Sequence, residues 1–409
     1  MGDVARLDRG PELGARVAAA RRRRGLSRQA AAELCGRSEE WLRKIERGQR
    51  GTSLRMVARL ADVLKVADLS ELLGDIVPTT LYARPEHGAL AQVRAALAAV
   101  PSGGTDDPAR KVTALRADVA SAWRLRSVSG RDRSDLAAVL PRLLLAAPAA
   151  VRGGDDPREA HRLAAEVYHL GQLYLCYQDA PELLWVVVDR GMREALDADD
   201  PLAAARAAWF SAYLYRDTGH VDQAHQAVDD ALRELDTLPE PLKGSPAERR
   251  HRSFLALAAA LNHARDGAHA NAWRWWDIAE TAAREADAGG VPLSPHALFG
   301  QDPADVALAL DVELGRSTSA LSRAESTDTD AVTSVPRRTR LLLEVARAHL
   351  LRREHTATVA LLRSAYETGP EATVYSLHGR AMVYELGRTV GPMLRPQVTH
   401  LADAMGVSA

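Results

Sequence analysis

Six cations stand within the run GLSRQAAAELCGRSEEWLRKIERGQRG: Arg28, Arg37, Arg43, Lys44, Arg47 and Arg50. A guanidinium at such a position is a sound phosphate ligand. Residues 1–75 carry a net charge of +5 and residues 76–409 a net of −6, so the total of −1 hides a basic head and an acidic body. A basic head suits a polyanion, and an acidic remainder discourages non-specific wrapping. No other residue pattern points to chemistry. HExxH, Walker A and GxSxG motifs do not occur, and no GxGxxG follows a strand. His161, His169, His220, His251, His263 and His269 are scattered without ligand spacing, and Cys35 and Cys176 are too far apart in sequence to argue for a disulfide framework or a cysteine-rich zinc site. The expectation is a protein that is not an enzyme and needs no cofactor or metal.

The cations need a scaffold, and the pattern around them reads as five short helices between Glu12 and Gly74. Leu13 and Val17 share one stripe of the first, which ends in Arg21-Arg22-Arg23-Arg24-Gly25, with cations at the negative end of the helix dipole and glycine as the stop. Ser27 and Ser38 are N-caps for the next two helices, and Gly36 supplies the tight turn between them. The third runs through EEWLRKIER to Gly48, and SLRMVARLADVL and DLSELLG close a small core with Leu54, Val57, Leu60, Ala61, Val63, Leu64, Leu69 and Leu72.

In residue type and spacing, with Ala32, Gly36, Leu42 and Ile45 in place, this segment resembles the XRE (lambda-repressor-like) helix-turn-helix family over roughly residues 11–74. The resemblance implies a third helix in the major groove of double-stranded DNA. Its base-reading candidates are Arg37, Ser38, Glu39, Glu40, Arg43 and Lys44, and its phosphate ligands are Arg28, Arg47 and Arg50. Three departures stand out: Arg37 occupies a usually apolar position, Ala31 is smaller than the usual Leu, and Glu39-Glu40 put carboxylates near phosphates. Either those carboxylates stabilise the helix N-terminus or they accept hydrogen bonds from cytosine N4. Trp41 is either a packing residue or a wedge near thymine methyls.

Residues 75–88 (DIVPTTLYARPEHG) lose periodicity and hold two prolines, which marks a linker. Residues 89–409 are helix upon helix, rich in Ala, Leu, Arg and Glu, with breaks such as LPEPLKGSP and AGGVPLSPHALFGQDP. An internal register emerges: Gly219, Gly267 and Gly315 are each followed five residues later by Ala224, Ala272 and Ala320, at an interval of 48 residues. A last copy runs through Ala346, His349, Thr358, Leu362, Ala365 and Pro370. These segments resemble degenerate tetratricopeptide (TPR) repeats with long connections. That resemblance implies a curved inner surface lined by the first helix of each pair. Carried over, it points Arg206, Trp209, Tyr213 and Arg216 inward, with Leu261 or Asn262 and Arg347 from later repeats, as ligand-binding candidates.

The fold expected is therefore all-α: an N-terminal five-helix XRE helix-turn-helix domain (1–74), a linker (75–88) and a TPR-like α-solenoid (89–409). Together the two resemblances imply a transcriptional regulator whose repeat domain binds a peptide, small-molecule or protein signal. The alternative is a TPR-type interaction scaffold with the helix-turn-helix as a docking module. A head of this size reads few base pairs, and stacked repeats end in apolar faces that must be capped or paired. A homodimer on an inverted-repeat operator is expected. With no signal-peptide core at MGDVARLDRG and no run of about 18 uninterrupted apolar residues, a cytoplasmic protein, nucleoid-associated when DNA-bound, with no membrane partner is expected.

Overall fold

The computed structural model describes residues 6–7, 11–49, 52–66, 72, 86–99, 108–218 and 220–407. The chain forms two compact units, one built mainly from Met1–Ala83 and the other mainly from Arg84 onward. Apart from a two-residue antiparallel pairing of β1 (Arg6–Leu7) with β2 (Thr52–Ser53), the described elements are helices.

In the head, α1 (Pro11–Arg23), α2 (Arg28–Leu34), α3 (Glu39–Glu46) and α4 (Leu54–Leu64) enclose one core that includes Val17, Ala31, Ala32, Trp41, Leu42, Ile45, Val57, Leu60 and Leu72. The caps form as the sequence suggests: Ser27 Oγ accepts from the Ala30 N–H at 3.0 Å, and Ser38 Oγ from the Trp41 N–H at 3.2 Å. Gly36 takes φ +66°, which lets the Arg37 N–H close back onto the Ala32 carbonyl at 2.8 Å. Trp41 is buried, so it packs. The expected fifth helix lies outside the described residues except for Leu72, which is buried.

The body is a run of helical hairpins. After α5 (Leu90–Ala98) come α6 (Pro108–Val128), α7 (Asp132–Gly153), α8 (Pro157–Leu175), α9 (Pro181–Asp197), α10 (Pro201–Asp217), α11 (Val221–Asp236), α12 (Pro246–Asp266) and α13 (His269–Ala288). Then follow α14 (Pro303–Glu313), α15 (Ser317–Glu325), α16 (Val335–Leu351), α17 (His355–Thr368), α18 (Pro370–Val374), α19 (Leu377–Thr389) and α20 (Arg395–Met405). Proline opens many of these helices, where its missing N–H has no intrahelical partner to lose. Partner helices pack closely in α6–α7, α8–α9, α12–α13, α14–α15, α16–α17 and α19–α20.

The internal register has a backbone cause. At four hairpin turns the N–H of His220, Ala268, Arg316 and Glu354 donates to the carbonyl five residues back, on Tyr215, His263, Asp311 and His349, at 2.7–3.0 Å. The residue before the donor must be left-handed, and Gly267 and Gly315 have φ of +75° and +79°. Arg353 fills the same place at φ +61° without being glycine, which is why the last copy broke the pattern of glycines. Gly219 lies outside the described residues. Ala224, Ala272, Ala320 and Thr358 are all fully buried, at points where only a small side chain lets two helices approach.

Two expectations change. His87 and Gly88, assigned to the linker, belong to the body: the His87 N–H donates to Gln178 Oε1 at 2.9 Å, and its ring meets Ser134 Oγ and the Tyr174 hydroxyl, each at 3.1 Å. The stack also does not end in open faces at both ends, because its first hairpin docks on its last ones. Helices α6 and α16 pack together, and so do α7 and α18. The Glu371 carboxylate accepts from the N–H groups of Arg133 and Ser134, both at 2.9 Å, and from the Ser134 hydroxyl. An anion thus sits on the N-terminus of α7, where the helix dipole favours it. The buried Arg133 guanidinium lies over Tyr177 at 4.0 Å and Tyr375 at 5.1 Å. By length and composition α7 could span a membrane, yet Leu136, Leu140, Leu143 and Leu144 are buried within the body.

Because a left-handed arginine is strained where glycine is not, Arg353→Gly should raise the stability of the full chain by about 0.5–1 kcal/mol. Gly315→Val should lower it by at least as much, both measured by chemical denaturation.

Candidate functional site

Helix α3 is built to show one face. Trp41, Leu42 and Ile45 are buried, while Ser38, Glu39, Glu40 and Arg47 are exposed and Arg37, Arg43 and Lys44 half-exposed. The base-reading candidates therefore share an accessible surface. Arg50 lies outside the described residues.

Two carboxylates organise the cations around this helix. Arg43 donates from Nε to Glu40 Oε2 at 2.7 Å and from Nη2 to Oε1 at 2.5 Å, while Lys44 Nζ lies 3.7 Å from the same Oε1. The Arg43 hydrogen bond holds the Glu40 carboxyl below its usual range. Glu40 thus has a role beyond the two considered from sequence: it fixes the side chains of Arg43 and Lys44 on the exposed face.

Glu46, at the end of α3, is the second organiser. Its side chain is only 4% exposed and receives Arg21 Nε at 2.5 Å, Arg21 Nη2 at 3.2 Å and Arg28 Nε at 2.9 Å. Arg21 also donates to the Leu26 carbonyl at 2.9 Å, so one carboxylate ties α1, the α1–α2 turn, α2 and α3 together. Burial pushes the Glu46 carboxyl up, but the hydrogen bonds and charges of Arg21 and Arg28 outweigh it, and its pKa is lowered. Arg28 is therefore partly committed to holding the fold, with the half-exposed remainder of its guanidinium at the surface.

The sequence reading passed over Gly14. A Cβ there would stand 2.4 Å from the Ile45 carbonyl oxygen and 2.6 Å from that of Glu46, so α1 meets the last turn of α3 backbone to backbone. An unassuming glycine in PELGARV gave no signal of this contact.

In the body, the ligand-binding candidates of α10 form a ladder with Asn262, and Trp209, Arg216 and Asn262 are buried in it. Arg206 Nε stands 3.4 Å from Glu166 Oε1, and its guanidinium lies 5.3 Å over the Trp123 ring, whose Nε1 donates to Glu166 Oε2 at 2.9 Å. Trp209 and Tyr213 stack with centroids 6.1 Å apart and planes 5° from parallel, and Arg216 lies 5.1 Å over Tyr213. Arg216 Nη1 then reaches Asn262 Oδ1 at 3.4 Å. The Asn262 amide nitrogen is buried with no hydrogen-bond partner among the described residues. Arg347 belongs to a different group, bound to Glu344 at 2.5 Å and Glu313 at 3.4 Å. Burial, then the charges of Arg347 and Arg340, keep the neighbouring His378 neutral. Trp123, Glu166 and His378 were not singled out from sequence, since each joins the others only through packing between hairpins.

Residues 12–73 match the family model described as a helix-turn-helix domain. No curated protein and no solved structure matches the chain. The chain thus carries an N-terminal helix-turn-helix domain, a module of DNA-binding regulators, ahead of solenoid-like helical repeats.

Glu46→Gln should lower the stability of the head by about 2 kcal/mol at neutral pH, because charge-assisted hydrogen bonds to a buried group are lost. Since the folded-state pKa of Glu46 is depressed, the clamp contributes fully above the unfolded glutamate range and is lost as pH falls through the folded value. Denaturation curves between pH 3 and 7 should therefore converge for the two proteins at the acid end; parallel curves would show that Glu46 is not the titrating clamp. Gly14→Ala should destabilise the head by about 1–3 kcal/mol through overpacking.

Proposed function

We propose that this protein is a sequence-specific transcriptional regulator of the XRE type, with a TPR-like body that binds a signal and pairs two copies on an inverted-repeat operator. The observation that carries the DNA-binding part is the exposed face of α3, where Arg43, Lys44 and Arg47 stand on an N-capped helix inside a matched helix-turn-helix domain. In such modules the exposed face of this helix meets base edges and the flanking cations meet phosphate.

Within this reading Arg43 and Lys44 read bases, with Ser38, Glu39 and Arg37 at the groove floor. Glu40 keeps the two cations extended, and on binding it exchanges them for a guanine edge or a phosphate. Arg47, Arg28 and Arg50 supply phosphate contacts. The ladder from Arg206 to Asn262 is the signal site. Pairing rests on recognition arithmetic, because one module buries only about 600–1,000 Å² on DNA and reads too few base pairs to find one operator. The docking of the first hairpin on the last ones removes the argument that open stack ends require a partner.

Arg43→Ala should cost about 1–3 kcal/mol at one base position and little elsewhere, read by anisotropy titrations over operator variants. Arg47→Ala should instead weaken all sequences alike and flatten the slope of log affinity against log salt by about 0.9. Unchanged affinity and slope in both variants would remove the DNA-binding reading. Light scattering on the full chain, alone and with operator, tests pairing: one protomer per operator would refute it.

A further inference from the structure

The contact between the first hairpin and the last ones differs from the contacts along the stack. The hydrophobic core around α6 and α7 includes no residue beyond Leu298, and the core around α16 is drawn from residues 299–351, so neither of these apolar clusters crosses the junction. Hydrogen bonds do cross it. Besides the Glu371 carboxylate on the N-terminus of α7, the Glu371 N–H donates to the Gly130 carbonyl at 3.4 Å. Two buried donors of the junction, Arg133 Nε and Gln178 Nε2, have no hydrogen-bond partner among the described residues. Unpartnered buried donors count against the docked arrangement, and a contact made by a few polar groups is where a fold opens at least cost.

One imidazole connects this junction to the place where the chain enters the body. His87 Nδ1 accepts from the Ala89 N–H at 3.3 Å, which fixes the proton of the ring on Nε2, and burial lowers the His87 pKa, in keeping with a neutral ring. The Tyr174 hydroxyl, 3.1 Å from Nδ1, is therefore a donor, and Nε2 donates to Ser134 Oγ at 3.1 Å. The Ser134 hydroxyl in turn donates to Glu371. Every donor in the series points one way, from Tyr174 through His87 and Ser134 to Glu371. The Tyr375 ring, just past α18, also stands 6.4 Å from the His87 ring. On the other side of the imidazole, the N–H groups of His87, Ala89 and Leu90 are held by Gln178 Oε1, His87 Nδ1 and the His87 carbonyl. The entry into α5 thus hangs on a ring whose far side is bound to the junction.

We propose that the docking of the first hairpin on the last ones is a latch, and that the relay from Glu371 through Ser134 to His87 transmits its state to the residues that lead into the helix-turn-helix domain. With the latch shut, Glu371 orders the Ser134 hydroxyl, Ser134 orders the His87 ring, and the ring pins residues 87–90. With Glu371 withdrawn, the Ser134 hydroxyl loses its acceptor and turns to the backbone of its own helix, so His87 Nε2 loses a fixed partner. Both ends share one network, and the coupling is reciprocal: whatever loosens the entry loosens the junction by the same factor. Any signal that favours the open or the shut body then changes how firmly the chain leading to the DNA-binding unit is anchored, without touching that unit. This last step rests on the reading of the protein as a DNA-binding regulator.

Amide hydrogen exchange on the full chain reads both ends at once. Glu371→Ala should raise exchange at the amides of His87, Ala89 and Leu90 at least about fivefold, the lower end of ordinary coupling between sites. Glu367→Ala, which removes an exposed acid of α17 paired with Arg363, should leave those amides unchanged. In the reverse direction, His87→Phe should raise exchange at residues 371–376 by a similar factor. A rise confined to residues 130–136 and 371–376 in Glu371→Ala, or coupling in one direction only, overturns the proposal. If Glu371→Ala lacks native circular dichroism, Ser134→Ala removes only the middle of the relay, and no rise at residues 87–90 then overturns it. Operator affinity of Glu371→Ala, measured by anisotropy, should differ from that of the unaltered chain by about twofold or more. Equal affinities alongside raised exchange overturn the transmission to the DNA-binding unit. An unaltered chain that binds no operator refutes the DNA-binding reading instead, and the exchange measurements still decide the latch.

Discussion

A helical hairpin cannot cover its own apolar face, and the architecture of the body follows from that constraint. Each hairpin lays its face on the next, and the approach is close enough that Ala224, Ala272 and Ala320 have no exposed surface. A stack built this way curves, and here the curvature brings α6 and α7 onto α16 and α18. The junction is held by polar groups. Glu371 caps α7, and Arg133 between two tyrosine rings supplies a buried cation whose charge is offset by Asp132 at 3.2 Å.

The head solves a smaller problem with fewer apolar atoms. Its helices α2 and α3 contain seven and eight residues, and isolated helices of that length do not persist in water. Serine caps at both, a glycine turn between them and the contact of Gly14 with the last turn of α3 set their relative position. Glu46 then joins three helices through two arginines. The placement of α3 is thus held by a carboxylate on its inner side, while a second carboxylate, Glu40, holds the cations on its outer side. The two glutamates differ in burial, and that difference assigns their roles: the enclosed one stabilises the fold, and the exposed one arranges groups that are free to exchange partners.

Along α10, cations and aromatic rings alternate. Arg206, Trp209, Tyr213 and Arg216 lie on one helix at spacings of three and four residues, so their stacking is a direct result of the helical repeat. Of the histidines that the sequence scatters through the body, His169 is a packing group, whereas His161 pairs with Glu194 at 2.7 Å. His169 stacks on Phe210 with centroids 4.1 Å apart, and burial holds it neutral. Burial likewise pushes the Tyr174 hydroxyl well above the usual tyrosine range, beside the His87 ring that anchors the entry of the chain into the body.

The all-helical fold, the caps at Ser27 and Ser38 and the turn at Gly36 were readable from the chain itself, because each depends on residues within a turn or two of one another. The glycine-to-alanine register was readable for the same reason, and it failed at Arg353 only because a left-handed backbone does not require glycine. What sequence could not reach depends on contacts between segments far apart. Gly14 is ordinary until the end of α3 lies against it, and Glu46 is one more surface acid until Arg21 and Arg28 converge on it. Ser127 and Pro295, or Ser134 and Glu371, are paired only once the stack has turned through its full arc. Local periodicity determined which faces are apolar. The summed curvature of the hairpins, a property of no single segment, decided that the first hairpin docks on the last ones.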